Sequence, residues 1–330
     1  MKKIVLLIVL LTLVMIQSSF ASSLTKRQDV IDFIDEMVSE YKMDKQSLQT
    51  LFNKTHIRQD IIDLMNRPAE KVKPWYEYKN IFLTDSRVKK GVTFWKENKD
   101  VLAYAKKVYG VPEEIIVAII GVETFYGKIA GKHRVIDALS TLAFDYPKRS
   151  TFFRKELKHF LILCQEQNID PLSLKGSYAG AMGYGQFMPS SYQHYAVDFD
   201  GQGRKDIWNS PADAIGSVAN YFKQHGWLLD QPVITQVKHI SATQAIDINN
   251  KKLKPKTSLK SFSKQGINST LSDDFPDKKA ALVELEEKSG PTYWLAFKNF
   301  YAISRYNHSH MYSMVVHLLS QDLKKSYNIK

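Results

Sequence analysis

The chain has 330 residues, 46 Lys and Arg against 34 Asp and Glu for a formal net charge of +12, and a single cysteine. That length admits two domains or one core with satellites, and one cysteine excludes an internal disulfide. Such a charge admits nucleic acid, anionic lipid or an acidic polymer as partner, or serves solubility alone, and its spread along the chain rather than in a run weighs against nucleic acid.

At the N-terminus, Lys2 and Lys3, an apolar run from Ile4 to Ile16 and the small-residue site Ser19-Phe20-Ala21 read as an export signal cleaved after Ala21. The run is short for a membrane span and no later stretch resembles a stop-transfer segment, so a soluble product outside the cytoplasm is expected. Export sets nucleic acid aside and favours an anionic envelope polymer. A lipid anchor needs a cysteine, and Cys164, inside the apolar stretch FLILC, reads as a buried thiol. From Lys26 to Asn66 apolar residues recur at helical spacing (Val30, Phe33, Ile34 and Met37, then Ile57, Ile61, Ile62 and Met65), which predicts two or three short helices. Pro68 and Pro74 bracket a linker-like segment carrying Trp75, Tyr76 and Tyr78, whose rings either line a sugar groove or pack a helix junction. A helical stretch from Ser86 to Tyr109 follows.

Residues 110–127, GVPEEIIVAIIGVETFYG, predict one enclosed helix. Pro112 sits in its first turn, Glu113 and Glu114 complement the helix dipole, and apolar residues cover every face. Glu123 is out of place there. It shares a stripe with Ile116, Ile119 and Ile120, where desolvation and the negative end of the dipole both raise its pKa and suit it to donate a proton. Read alone, the alternative is a structural ion pair with Arg134 or Arg149. Two further amphipathic helices follow, broken at Pro147. In them Asp137 resembles a helix-start residue, Glu156 lies among Arg154, Lys155 and Lys158 as if in a solvated ion pair, and neither these nor Asp145 stands out as a second catalytic acid.

Residues 175–192, KGSYAGAMGYGQFMPSSY, have the composition of a groove. Glycines allow close backbone approach, Ser177, Tyr184 and Gln186 offer hydrogen bonds, and Met182 and Phe187 offer apolar contact. Residues 198–213 have the cadence of a calcium loop, with Asp198 first, Asp200 third and Gly203 sixth, but Gln202 stands fifth and Asn209 twelfth, leaving Asp213 to close the site. A solvated Asp/Gly turn is the alternative. After a helix ended by Gly226, residues from Pro232 to about Gly290 alternate in strand fashion and predict a small β-rich subdomain. The chain then reads as helical from PTYWLAF onward. His308, His310 and His317 lack the spacing of a zinc site.

Taken together, these residues resemble the lytic murein transglycosylase B family, which cleaves bacterial cell-wall glycan. The likeness spans nearly the whole mature chain and is carried by NRPAEKVKPWYEY, GVPEEIIVAIIGVETFYG, RVIDALSTLAFDYP, GSYAGAMGYGQFMPSSY, IWNSPADAIGSVANYFKQHGW and NFYAISRYNHSHMY. It implies a mainly α (α+β) protein: a signal peptide at 1–21, an α-helical N-terminal domain at 22–100, a lysozyme-like helical core at 101–235, a small β-rich subdomain at 236–290 and a helical part at 291–330 completing the core. It also implies Glu123 as sole catalytic acid and base, substrate contacts at Tyr78, Ser177, Met182, Gln186, Phe187, Tyr221, Tyr306, Asn307 and Tyr312, and a calcium-type loop whose candidate ligands are Asp198, Asp200, Gln202, Arg204 and Asp213.

The implied reaction cleaves the bond between N-acetylmuramic acid and N-acetylglucosamine by attack of the muramic 6-hydroxyl, giving a 1,6-anhydro product without a second carboxylate. The alternatives are a lysozyme-type hydrolase, which needs a second acid, and a non-catalytic glycan-binding envelope protein. The chemistry requires no cofactor, and a structural calcium is the one ion suggested. Peptidoglycan strands are the expected partner, with other cell-wall enzymes as further candidates. The protein is expected to be a periplasmic monomer without a lipid anchor.

Overall fold

In the computed structural model, residues 24–67, 73–240 and 252–329 are described. The signal expected at residues 1–21 and part of the β-rich segment, residues 241–251, lie outside them. The described residues divide into two compact units, one up to Lys54 and one from Thr55 onward. In the first, α1 (Gln28–Tyr41) and α2 (Lys45–Asn53) follow a short 3-10 turn. Val30, Phe33, Ile34 and Met37 form the buried stripe of α1, and Phe33 meets Phe52 edge to face with ring centroids 5.9 Å apart. Asp44 caps α2 by accepting from the Ser47 N–H.

The second unit runs through α3 (Gln59–Asn66), α4 (Trp75–Phe82), α5 (Asp85–Glu97), α6 (Lys99–Tyr109), α7 (Glu113–Thr124), α8 (Val135–Phe144), α9 (Ser150–Glu166), α10 (Pro189–Tyr195) and α11 (Pro211–Gln224). β1 (His133–Arg134) and β2 (Lys175–Gly176) pair as a two-stranded antiparallel ribbon before and after α8 and α9. Then come β3 (Ile234–Ile240), β4 (Thr257–Ser258), α12 (Leu259–Ser263), β5 (Ile267–Ser269), β6 (Lys279–Glu287) and β7 (Gly290–Ala296), and the chain closes with α13 (Lys298–Tyr306) and α14 (His310–Asn328). The five strands β3 to β7 form one antiparallel sheet in the order β4-β6-β7-β3-β5. The protein is therefore mainly helical, with a lysozyme-like helical body and a small sheet.

One continuous core joins α4 to α7, α11, α13 and α14 with the inner face of the sheet, through residues such as Trp75, Ile119, Phe222, Phe300, Val315 and Val283. Every residue of α7 from Glu114 to Val122 is buried, so the helix is enclosed on all sides.

Three local expectations are corrected. Trp75, Tyr76 and Tyr78 lie in a helix, not a linker: Pro74 is the extended N-cap of α4, and its fixed φ prepares the first turn. The stretch Gly290–Ala296 is a strand rather than a helix, registered with β6 from Ala281 opposite Ala296 to Glu287 opposite Gly290. Its β-branched and aromatic residues suit a half-buried pleat, and the helix begins only at Lys298. Finally, Pro112 caps α7 from outside instead of sitting in its first turn, while the helix ends at Thr124, one residue past Glu123.

Candidate active site

The end of α7 sets the site. Phe125, Tyr126 and Gly127 all have positive φ, at 52°, 61° and 85°, so the chain reverses in three consecutive left-handed residues just after Glu123. Two of these carry side chains that disfavour the conformation, and packing holds them in it. The Tyr126 ring lies against α5 and α7 at Gly91 and Gly121, where an added Cβ would sit 2.3 and 2.5 Å from its hydroxyl. Thr124, fully buried, fastens the turn. Its Oγ1 donates to the Tyr184 carbonyl at 2.9 Å and accepts from the Gly127 N–H at 3.0 Å, tying the acid's helix to the glycine-rich loop.

Glu123 is half-buried as a residue, but its carboxyl is surrounded by protein. Burial pushes its pKa up to about 7, against a smaller opposing pull from the Tyr312 hydroxyl, which donates to Oε1. Three tyrosines face this acid. Burial and the Glu123 charge hold the Tyr78, Tyr306 and Tyr312 hydroxyls above the ordinary range, so they remain neutral donors. Among the described residues no arginine or lysine pairs with Glu123. Arg134 instead grips Asp137, at 2.7 Å, and Arg149 lies over the Phe152 and Phe153 rings.

The remaining groove candidates divide by exposure. Met182 and Phe187 are buried and exchange both backbone hydrogen bonds with each other. Phe187 continues into a ring cluster with Tyr221 and Tyr306, centroids 6.0 Å away in each case, and Tyr221 and Tyr306 meet at 4.7 Å. Tyr306 donates to the Gly185 carbonyl at 2.6 Å and Tyr221 to that of Arg305 at 2.5 Å, which locks α13 against the glycine-rich loop and α11. Ser177 Oγ accepts from the Ala179 and Ala181 N–H groups, shaping the loop while its own proton stays available. Gln186, at φ 51°, spends its amide N–H groups on the Ala130 and Gly183 carbonyls, and among the described residues its Oε1 meets no donor. Asn307 is exposed at the end of α13. The structure therefore joins Tyr312 to the acid by a hydrogen bond, sets Tyr78 and Tyr306 where its charge reaches them, places Met182, Phe187 and Tyr221 in the packing behind it, and leaves Asn307 outside that packing.

The candidate second acids are engaged elsewhere. Asp137 is buried against Arg134 and the His56 N–H. Glu156 is not solvated as expected: it is 4% exposed and accepts from the Ser190 N–H and hydroxyl, because it lies on the buried face of α9 against α10. Asp145 ends α8. Nothing but burial and the Tyr312 hydrogen bond perturbs Glu123 among the described residues. Cys164 is buried and its thiol is pushed up to about 12 by desolvation, an inert core group.

Between α10 and α11, oxygens of Asp198, Asp200 and Asp213 lie within 4.8 Å of one another. The carboxylates already organise the loop. Asp213 accepts from the Phe199, Asp200 and Asp206 N–H groups, Asp198 from those of Gln202 and Gly203, and Asp200 from Gln202 N–H and Ser210 Oγ. Arg204 points to Asp206 at 3.4 Å with its side chain exposed.

Sequence reasoning missed Arg87. Its guanidinium donates to the carbonyls of Gly121, Ile81 and Phe82 and lies 5.2 Å from both the Phe82 and Phe125 rings. No motif marks it, since all three acceptors are backbone atoms.

A desolvated carboxyl that accepts from a tyrosine hydroxyl inside a lysozyme-like helical body has the chemistry of a glycan-cleaving enzyme of the lytic transglycosylase class. Comparison with known proteins agrees. A family model described as "Transglycosylase SLT domain" matches residues 25–321. The membrane-bound lytic murein transglycosylase B of Escherichia coli is 45% identical over 300 residues, 88% of this chain and 81% of that protein. The crystal structure of the soluble lytic transglycosylase SltB1 from Pseudomonas aeruginosa superposes with a TM-score of 0.86 at 48% identity, covering 90% of this chain and 99% of that one. The E. coli lytic transglycosylase Slt35 in complex with calcium gives 0.84 at 42% identity, covering 92% and 95%. The chain belongs to the SLT-domain transglycosylase family and is a peptidoglycan lytic transglycosylase.

Proposed function

We propose that Glu123 alone serves as acid and then base in cleaving the bond between N-acetylmuramic acid and N-acetylglucosamine. The observation that carries this reading is a carboxyl held near pKa 7 by burial, with no second carboxylate acting on it among the described residues. Protonated Glu123 gives its proton to the glycosidic oxygen as the bond to the muramic anomeric carbon breaks. The resulting carboxylate takes the proton of that sugar's 6-hydroxyl, whose oxygen bonds to the anomeric carbon, so a 1,6-anhydro ring forms and Glu123 is reprotonated. Water is not consumed, and a nucleophile or water-activating carboxylate on the sugar's far face is not needed. Tyr312 holds the carboxyl in place and steadies its charged form between the two proton transfers, with Tyr78 and Tyr306 beside it.

Ser177 and the Gln186 Oε1 hold the sugar, while Met182, Phe187, Tyr221 and Asn307 shape or border the groove. The periplasm, where peptidoglycan lies, is the location this reading implies. Asp198, Asp200 and Asp213, with the Gln202 side chain, offer the hard oxygen donors that calcium takes; such an ion would brace the loop before α11 and take no part in the reaction.

The test is mass spectrometry of sacculi digested by the mature enzyme. Muropeptides lighter by one water than reducing-end products are expected, and Glu123→Gln should make none while still binding glycan. Reducing ends instead would show that water attacks, and a second carboxylate would have to be sought.

A further inference from the structure

We propose that Arg87 and Glu287 are positioning residues for the reaction, gripping α4 from its two ends and, through Arg87, tying it to the last turn of α7 that carries the acid; this rests on the assignment of Glu123 as that acid. An isolated eight-residue helix has no stability of its own, so the position of α4 is set by what holds it. Its first half is held by the sheet. Glu287, beside the two-residue turn joining β6 to β7, accepts from Trp75 Nε1 at 2.9 Å and from Lys79 Nζ at 2.7 and 2.8 Å. The Lys79–Glu287 pair is partly buried, with side-chain exposures of 30% and 25%.

The other end is held by Arg87. Its Nη1 donates to the Ile81 and Phe82 carbonyls at the end of α4, both at 2.9 Å, and its Nε donates to the Gly121 carbonyl at 3.1 Å. Gly121 and Phe125, the latter stacked on the same guanidinium, flank Glu123 in the chain. One planar fork therefore binds the end of α4 and the last turn of α7 together, a geometry that the single ammonium of a lysine cannot reproduce. Between the two grips stands Tyr78, whose hydroxyl feels both burial and the Glu123 charge. If α4 recedes, water reaches the carboxyl and part of its desolvation is lost. Arg87 and Glu287 touch no reacting atom; they act through Tyr78 and the enclosure of Glu123.

The experiment compares kcat/KM against pH on a soluble glycan oligomer for the wild type, Arg87→Lys, Glu287→Gln and Glu287→Ala, with thermal unfolding followed on the same preparations. The upper limb reports loss of the protonated acid in the free enzyme. It is expected to move to lower pH, by about one unit in Arg87→Lys and Glu287→Ala and by less in Glu287→Gln, which keeps an acceptor for Trp75. Folded variants whose limb coincides with the wild type would overturn the proposal, however far their melting temperatures fall, because a merely structural role leaves the limb in place. Should Arg87→Lys not fold, the two Glu287 variants decide alone. Reducing-end products from the wild type, or activity in Glu123→Gln, would instead remove the underlying mechanism, whatever the limb does.

Discussion

At Glu123 two opposed effects set the protonation state, and removing either one moves it in a known direction. Burial favours the neutral acid, while the Tyr312 hydroxyl favours the carboxylate. Tyr312→Phe leaves the burial and takes the donor away, so the upper limb of kcat/KM against pH should move to higher pH. That is the reverse of the shift expected for Arg87 and Glu287 variants, and a limb that falls would show that Tyr312 mainly excludes water. The same burial has a cost in stability. Folding raises this acid from its ordinary 4.5 to about 7, so the native state holds the proton more tightly and stability is lost as pH rises through that interval, with the full loss present above about 7. Each unit corresponds to about 1.4 kcal/mol, so the interval amounts to about 3 kcal/mol. Glu123→Gln should therefore be more stable than the wild type at pH 8 and lose that advantage near pH 4, which urea unfolding at the two pH values measures.

The helix that carries the acid shows how far sequence could be read. Its start was legible because Pro112, Glu113 and Glu114 are local signals. The turn beyond its end was not: the chain passes through Phe125 and Tyr126 in the left-handed region before it reaches Gly127, because the Tyr126 ring fills a space left by Gly91 and Gly121. That complementarity joins residues far apart in the chain, and no local pattern encodes it. For the same reason α4 read as a linker, since its anchors, Glu287 and Arg87, lie outside its own segment. Gly121→Ala should test the packing directly. Its Cβ would meet the Tyr126 hydroxyl at 2.5 Å and ring carbons at 2.6 and 2.8 Å, so a loss of about 1–3 kcal/mol is expected, with lowered activity as the turn after Glu123 shifts. The Tyr126 hydroxyl is buried without a partner, so Tyr126→Phe alone should cost little. In the double variant it should recover only part of the loss, because the ring carbons remain in the way. Full additivity of the two changes in a double-mutant cycle would mean that they are not in contact.

Over the whole molecule the site is assembled from long separations, which is why residue types were readable and partnerships were not. Glu123 and its Tyr312 donor stand 189 positions apart, and Trp75 and Glu287 stand 212 apart. The calcium-type loop is a local feature with a global consequence, because it leads into α11, which carries Tyr221 and packs against α6, α7 and α10. Asp213, 1% exposed, already accepts three backbone N–H groups, so the loop has an organising anion whether or not a cation is present. Two variants should therefore part company. Asp213→Asn removes the charge from those three hydrogen bonds and should lower stability by about 1–3 kcal/mol both in calcium and in chelator. Asp200 is exposed and its contacts are few, so Asp200→Asn should melt near the wild-type temperature in chelator but lose the stabilisation that the proposed calcium site predicts. For the wild type that gain is about 2.7 kcal/mol at a hundredfold excess over Kd, by mass action on the folded state alone. Calorimetric melting of the three proteins with calcium and with chelator separates the terms. A wild-type melting temperature that calcium does not move would show that in this chain the carboxylates serve the backbone and not an ion, with Gln202 at the fifth position as the departure that explains it.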